Sequence, residues 1–329
     1  MASPIELSII IPVYNEEANI TPLCQRLIPI LEKITPLWEI LFVDDGSSDA
    51  TLTAIKSSAI KEPRLGAVSF SRNFGKEIAI AAGLDHALGR AVVIMDADLQ
   101  HPPEMIEEFV AQWRNGYDMV YGQRTDRSDE TPMRRGSARL FYRLFRQFGE
   151  MPLPPGAGDF RLIDRKGVEV LKTLGERARF SKGLYAWIGF KSLGVPFSVQ
   201  DRQHGASKWS FRKLFRFAFD GVTSFSTVPL RIWTYLGGFI SLVSFVVAFY
   251  FVVHTLLFGA DVPGYPSLIV SVMFFAGIQL MSLGIIGEYI GRIFAEVKRR
   301  PLYVVAERIG GASASGEGLV RDMRRLPGV

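Results

Sequence analysis

Along the first half of the chain, short apolar runs alternate with amphipathic stretches. Glu6–Ile11, Glu39–Val43, Leu65–Phe70, Ala91–Met95 and Asp118–Tyr121 are apolar runs closed by polar or turn-forming residues, the pattern of buried strands. Ala18–Lys33, Ala50–Ser58, Lys76–Leu88 and Glu104–Trp113 carry helical periodicity between them. Strand–helix alternation of this kind predicts a mostly parallel sheet wrapped on both faces. No Gly-x-Gly-x-x-Gly follows the first strand, which disfavours a dinucleotide site.

The pattern changes near Pro229. Ile232–Phe258 and Ser267–Ile290 are long apolar stretches, each exceeding the roughly 20 residues that cross a bilayer. Core helices rarely run so long without polar faces. The connection Gly259–Pro266 holds Asp261 and no Lys or Arg, whereas Arg231 flanks one end and Arg292, Lys298, Arg299 and Arg300 the other. The positive-inside rule then predicts a hairpin with both chain ends cytoplasmic. Gly277, Gly284 and Gly291 recur at heptad spacing, and Gly287 with Gly291 forms Gly-x-x-x-Gly, which permits close helix approach within or between chains. The expected organisation is a cytoplasmic domain over 1–204 with an interfacial helix near 134–149, a juxtamembrane segment over 205–229, a two-helix hairpin over 230–295 and a tail over 296–329 whose end is disordered.

Lys plus Arg number 38 against 33 Asp plus Glu, so the charge excess is small and its placement matters more. Basic clusters at Arg134–Arg146, Lys208–Arg216 and Lys298–Arg300 lie among or beside apolar residues, which favours a membrane surface over nucleic acid. One cysteine, Cys24, excludes an internal disulfide, fits a reducing compartment and reads as a buried thiol on the first helix. Ile9-Ile10-Ile11 is cut short by Pro12, so no signal peptide is expected.

Four successive strands end in polar residues. They are Pro12-Val13-Tyr14-Asn15-Glu16-Glu17, Asp44-Asp45-Gly46-Ser47-Ser48-Asp49, Ser71-Arg72-Asn73-Phe74-Gly75 and Asp96-Ala97-Asp98-Leu99-Gln100. Open α/β sheets bind ligands at this rim. Asn15, Ser48 and Asp49 are N-cap types, and capping is expected of Ser48 and Asp49. A ligand role is expected of Asp44 and Asp45. Asp96 and Asp98, directly after an apolar strand, suit Mg²⁺, which takes one or two carboxylates and the oxygens of substrate phosphates.

These motifs, with Arg202 and Ser207-Lys208, resemble family 2 glycosyltransferases of GT-A fold. More narrowly they resemble the dolichol-phosphate mannose synthase and polyprenyl-phosphate glycosyltransferase group. The two C-terminal helices are similar to the branch that includes the bactoprenol glucosyltransferases. The resemblance implies a Rossmann-like GT-A domain with two transmembrane helices and interfacial helices. It implies that Pro12, Tyr14, Glu16 and Asp44 contact base and ribose, that Asp45, Asp96 and Ala97 lie near the donor, and that Arg202 and Lys208 meet its diphosphate. It further implies Mg²⁺ or Mn²⁺ on Asp98 and Gln100, with Asp96 near, and an acceptor site at Arg124 and Arg135.

The residues themselves agree on the acceptor side. Arg135, Arg139 and Arg143 recur at i, i+4, i+8 beside an apolar stripe of Phe141, Leu144, Phe145 and Phe148, an amphipathic helix suited to the lipid interface. Guanidinium groups bind phosphate bidentately. Arg124, Arg135 and Arg139 are the phosphate candidates, and Arg139, Arg143 and Arg146 also suit anionic lipid. Phe211, Leu214, Phe215, Phe217 and Phe219 with Arg212, Lys213 and Arg216 form a second interfacial segment, and His204 reads as a surface histidine. Asp159, in Gly158-Asp159-Phe160-Arg161, is expected to position sugar or acceptor, because a phosphate with a second pKa of about 6 needs no strong base.

The expected activity is inverting, metal-dependent transfer of a hexose, glucose first, from a nucleotide sugar, UDP-glucose first, to undecaprenyl phosphate at the cytoplasmic membrane face. Catalytic roles fall to Asp96, Asp98, Asp159 and Arg124. The chain is expected to be a homo-oligomer of the bacterial-type plasma membrane that binds no nucleic acid. Mannosyl transfer from GDP-mannose, a processive polysaccharide synthase and a non-catalytic scaffold are the alternatives. The absence of Gln-x-x-Arg-Trp counts against the synthase, and the retained carboxylates count against the scaffold.

Overall fold

In the computed structural model the described residues are 5–124, 157–176, 181–197, 264–310 and scattered positions between 239 and 258. The chain divides into two units, one of residues 1–218 with 300–329 and the other of residues 219–299.

The first unit is built on an eight-stranded sheet. In chain order its elements are β1 (Leu7–Val13), α1 (Glu17–Ile34), β2 (Trp38–Asp44), α2 (Thr51–Lys61), β3 (Leu65–Phe70), α3 (Lys76–His86), β4 (Ala91–Ile94), α4 (Met105–Arg114), β5 (Met119–Arg124), β6 (Ala157–Asp164), α5 (Arg165–Thr173), α6 (Ser181–Trp187), β7 (Ser192–Phe197) and β8 (Val305–Gly310). The strand order is β7-β5-β6-β4-β1-β2-β3-β8. Strands β4, β1, β2 and β3 run parallel. Strand β6 is antiparallel to both β4 and β5, and β8 is antiparallel to β3, so the sheet is mixed.

The parallel centre follows from the apolar runs. Ile9, Ile11, Phe42 and Val93 are buried with Leu23, Leu27 and Phe109 from the covering helices. Both faces are covered, so those strands carry no polar alternation. The strands and helices expected between Glu6 and Tyr121 all form, with ends shifted by a few residues.

Three strands lie beyond that expectation. Strand β6 carries Asp159, Arg161 and Asp164 within it. Strand β7 is a half-exposed edge with Gly194 and Pro196. Strand β8 belongs to the stretch expected as a tail, and it closes the far edge of the sheet beside β3. Its approach is fixed by Tyr303, which stacks on Phe70 at 5.0 Å and donates its hydroxyl to Asp85 at 3.0 Å. The Ser71 amide donates to the Val304 carbonyl at 3.0 Å, and Lys56 pairs with Glu307 at 2.8 Å.

In the second unit, α7 (Tyr265–Val297) is one continuous helix. Its window Phe274–Gly291 has a mean hydropathy of 1.3 with none of it buried, so it is long and apolar enough to cross a membrane. Described positions between 239 and 258 are also helical. At Gly277, Gly284, Gly287 and Gly291 no described atom lies within 4 Å of where a Cβ would stand. The helix expected near 134–149 and the segment 205–229 lie outside the described residues.

Candidate active site

The C-terminal rim of the parallel strands divides into two halves built from similar residues.

In the β1–β2 half, side chains hold loops. The amide of Asn15 donates to Ser47 Oγ at 3.0 Å, and Asn15 Oδ1 accepts from the Ser48 amide at 2.9 Å. Asn15 does this from a left-handed conformation, φ 54°. Glu16 donates its amide to Thr51 Oγ1 and accepts from the Asn19 side chain. Buried Asp44 accepts from the Ser47 amide at 3.0 Å and from Ser69 Oγ at 2.7 Å. Asp45 accepts from the Phe74 amide at 2.6 Å and the Gly75 amide at 2.9 Å, clasping the β3–α3 loop. Burial pushes the Asp45 carboxyl up, and these amide bonds oppose the rise. Gly46 passes so close to that loop, at φ 70°, that a Cβ would stand 2.5 Å from the Arg72 carbonyl carbon. Tyr14 is exposed above this half, and Pro12 is partly buried. Asp49 accepts from the Thr51 amide at 3.0 Å from one residue before the N-cap Ala50, and Ser48 serves the Asn15 clasp, so neither takes the capping position expected of it.

In the β4–β6 half, charged groups converge. Beyond β4, Asp96 and Asp98 are partly exposed, and Ala97 and Leu99, which alternate with them, are buried. Leu99 takes φ 57°, and the Gln100 amide donates to Asp98 Oδ1 at 3.2 Å. Strand β6 pairs Ile94 with Arg161, and continuing that register sets Asp159 beside Asp96. Gly75 at φ 102° turns the chain into α3, whose first residue is Lys76. The Lys76 ammonium lies 2.6 Å from Asp96 and 3.0 Å from Asp159. Burial opposes the Lys76 charge, but the two carboxylates outweigh it and raise the ammonium's pKa. Burial likewise opposes ionisation of Asp159. The Lys76 charge, helped by Lys182, nevertheless holds its carboxyl well below the usual range.

A wall of aromatic and polar groups stands beside this triad. His101 stacks on Phe160 at 5.0 Å and meets Phe197 edge-on at 5.7 Å. Burial lowers its pKa, against the pull of Asp96 and Asp98, so the ring is neutral near pH 7. Glu77 accepts from the Ser181 amide at 3.1 Å and from its hydroxyl, which ties α3 to the start of α6. Helix α6 brings Tyr185 over the buried Arg161 guanidinium at 3.7 Å. Arg161 in turn donates to the Gly158 carbonyl, fixing the backbone before Asp159. Asp159 Oδ1, Tyr185 Oη and His101 Nδ1 are buried without a hydrogen-bond partner.

The structure therefore joins Asp96 and Asp159 through Lys76, with Asp98 and Gln100 in the turn that follows Asp96, and sets Pro12, Tyr14, Glu16, Asp44 and Asp45 on the adjoining rim. Arg124 ends β5. The side chain of Arg124 and the whole of Arg135, Arg139, Arg202 and Lys208 lie outside the described residues. Sequence reasoning missed Lys76, Glu77, His101, Arg161 and Tyr185. One signal was present for Lys76, since a cation at the first turn of a helix opposes the helix dipole and needs an anionic partner.

Among the described residues no group of three His, Cys, Asp or Glu side chains converges on one point. Asp98 and Gln100 instead suit a cation that takes one or two protein oxygens and otherwise phosphate oxygens. Such a rim lies where open α/β sheets take their ligands, at the carboxyl ends of the strands, and its charged groups give the fold the character of an enzyme.

Comparison with known proteins gives that class a family. Residues 8–171 match the model for glycosyl transferase family 2, and residues 228–293 match the GtrB C-terminal hairpin. An uncharacterized glycosyltransferase of Synechocystis sp. is 49% identical over 306 residues, covering 93% of this chain and 96% of its own. A prophage-derived bactoprenol glucosyl transferase of Shigella flexneri is 44% identical over 91% of this chain and 97% of its own. A prophage bactoprenol glucosyl transferase homolog of Escherichia coli is 42% identical over 91% and 98%. The chain belongs to glycosyl transferase family 2, and it is a glycosyltransferase with a GtrB-type C-terminal hairpin.

Proposed function

We propose that the protein transfers glucose from UDP-glucose to undecaprenyl phosphate at the cytoplasmic face of a bacterial plasma membrane. The observation that carries this reading is the pairing of Asp96, two residues before Asp98, with Asp159 on one Lys76 ammonium, on one half of a family 2 rim in a chain that matches the GtrB C-terminal hairpin. The names of the Shigella and Escherichia relatives support the sugar and the lipid.

An oxygen of the lipid phosphate attacks the anomeric carbon as the bond to the diphosphate breaks. One displacement inverts that centre, so an α-linked donor yields a β-linked product and UDP. The acceptor is already ionised, so Asp159 positions a substrate hydroxyl rather than removing a proton. Asp98 and Gln100 would hold Mg²⁺ or Mn²⁺, which supplies charge neutralisation on the departing diphosphate. Asp96 Oδ1 is engaged by Lys76, which leaves Asp98 as the better metal oxygen. Pro12, Tyr14, Glu16, Asp44, Asp45 and Ala97 form the donor side. Arg202 and Lys208 serve the diphosphate, and Arg124, Arg135 and Arg139 the lipid phosphate.

The membrane reading gains from chain connectivity. Strand β8 follows α7 and joins the same sheet as β1 to β7. A chain that leaves one folded unit and rejoins it crosses a bilayer an even number of times. With α7 as one span, the helical positions between 239 and 258 supply the second, and both flanks are cytoplasmic by their basic residues. The open glycine row on α7 supports close packing against another helix, within a homo-oligomer or within the chain.

The test incubates purified full-length protein with undecaprenyl phosphate, Mg²⁺ or Mn²⁺ and a panel of sugar nucleotides. A chelator-sensitive glucosyl lipid from UDP-glucose is expected. No glycolipid from any donor would overturn the reading. Transfer from GDP-mannose alone would move the assignment to mannosyl transfer.

A further inference from the structure

Lys76 opens α3, where a positive charge opposes the helix dipole. Its position is nevertheless fixed from both sides. Behind it, Asp45 takes the amides of Phe74 and Gly75, so the end of β2 anchors the turn that delivers Lys76. In front, its ammonium takes one oxygen of Asp96, beyond β4, and one of Asp159, within β6. Without that ammonium, two carboxylates would face each other with like charge.

The contact is selective about which oxygen it uses. Lys76 binds Asp159 Oδ2 and leaves Oδ1 buried and without a hydrogen-bond partner. Three further buried polar atoms lack partners nearby. They are Tyr185 Oη on α6, His101 Nδ1 after β4 and Arg161 Nε on β6, on side chains close enough to feel the Asp159 charge. Buried polar atoms of a native fold are satisfied, so this group of orphans points to an absent polar ligand. An anionic ligand would meet Asp159 unfavourably. A hydroxylated ligand suits the group, because hydroxyls both donate and accept.

We propose that Lys76 is a positioning residue for sugar recognition: it holds Asp159 so that Oδ1 accepts a hydrogen bond from one hydroxyl of the donor hexose. This rests on the glycosyl-transfer reading above and adds the residue that sets hydroxyl specificity. The Asp45 clasp then links the donor side of the rim to the sugar side through a single loop.

Equilibrium binding tests it without turnover. Full-length protein with Mn²⁺ is titrated by calorimetry with UDP, UDP-glucose and its 2-, 3-, 4- and 6-deoxy analogues. If UDP-glucose does not bind, the sugar nucleotide that the wild type binds from the donor panel takes its place, with its own deoxy analogues. The wild type should lose about tenfold in affinity for one analogue, since a site built around a hydroxyl discriminates against its loss. Lys76→Met should bind UDP within twofold of wild type, bind UDP-glucose about tenfold more weakly and treat that analogue like UDP-glucose. Asp159→Asn should lose the same discrimination, and the double variant should lose no more than either single. Lys76→Arg, which keeps the charge, should retain part of it.

Intact discrimination in Lys76→Met or additive losses in the double variant would overturn the proposal. So would an equal loss of UDP affinity, which would make Lys76 a support for the whole site. The glycosyl-transfer reading fails separately, through a wild type that binds a sugar nucleotide and makes no glycolipid. A wild type that binds none overturns both.

Discussion

The two halves of the rim use the same side chains for opposite ends. At β1–β2, the carboxylates of Asp44 and Asp45 are engaged by amides and a hydroxyl of the protein itself. At β4–β6, Asp159 keeps a buried oxygen unpartnered, and Asp98 is partly exposed and takes the Gln100 amide at 3.2 Å. An acidic residue after an apolar strand is therefore not diagnostic by itself. What separates a loop clasp from a reactive site is whether the protein's own amides and hydroxyls already satisfy both oxygens. The first half builds a rigid floor, and the second leaves polar capacity for a ligand.

The comparison predicts opposite signatures for two aspartates. Asp98→Asn should lower kcat for lipid glucosylation by about 10²–10³-fold, the scale of losing a group that stabilises developing charge. Its thermal unfolding in detergent should stay near wild type, because Asp98 is partly exposed. Asp45→Ala should do the reverse. It strands the Phe74 and Gly75 amides, a loss of about 1–3 kcal/mol, which a lowered Tm reads directly. Equal effects of the two substitutions on Tm would erase the distinction between the halves.

Much of this was legible in the chain, and the failures have physical causes. The runs that made β1 to β4 obvious are buried on both faces, so burial writes them as continuous apolar letters. Strand β6 hides because Asp159, Arg161 and Asp164 interrupt it, each with a partner in the folded sheet. Strand β8 hides because an edge strand carries charge, here Glu307 and Arg308. The aspartates of the site were legible because they end an apolar run. Lys76 was not, because its partner Asp159 lies 83 residues away and the strand that delivers it was itself unread.

The sheet edge where β8 docks, away from both halves, sharpens the contrast through pH. Burial, with the nearby Arg308 and Lys172 charges, lowers the His86 pKa to about 4. Its ring lies 6.4 Å from that of Tyr303, whose hydroxyl is shared between Asp85 and His86. A folded pKa below the unfolded value near 6.5 means that the neutral ring is favoured by folding. The stability it contributes is present above about pH 6.5 and is lost as pH falls toward 4. The loss across that window should reach about 2–3 kcal/mol. Melts from pH 7.5 to 4.5 should show a steeper fall for wild type than for His86→Gln. Parallel curves would mean that this contact does not titrate with folding.

The smallest effect belongs to Asn15, whose left-handed backbone and side-chain bond to Ser48 join the first two loops. Two substitutions separate those contributions. Asn15→Gly removes the hydrogen bond but accepts φ 54° without strain. Asn15→Ala removes the same bond and also forces a Cβ into a region that costs an ordinary residue roughly 1–2 kcal/mol. Alanine should therefore be the less stable variant by about 1 kcal/mol, although it is the more restrained residue in the unfolded chain, which by itself favours alanine by only about 0.4–1 kcal/mol. The order glycine above alanine, read by melting temperature, would show that backbone conformation sets this half of the rim. The reverse order would show that chain entropy outweighs it and that the left-handed turn is not held in solution.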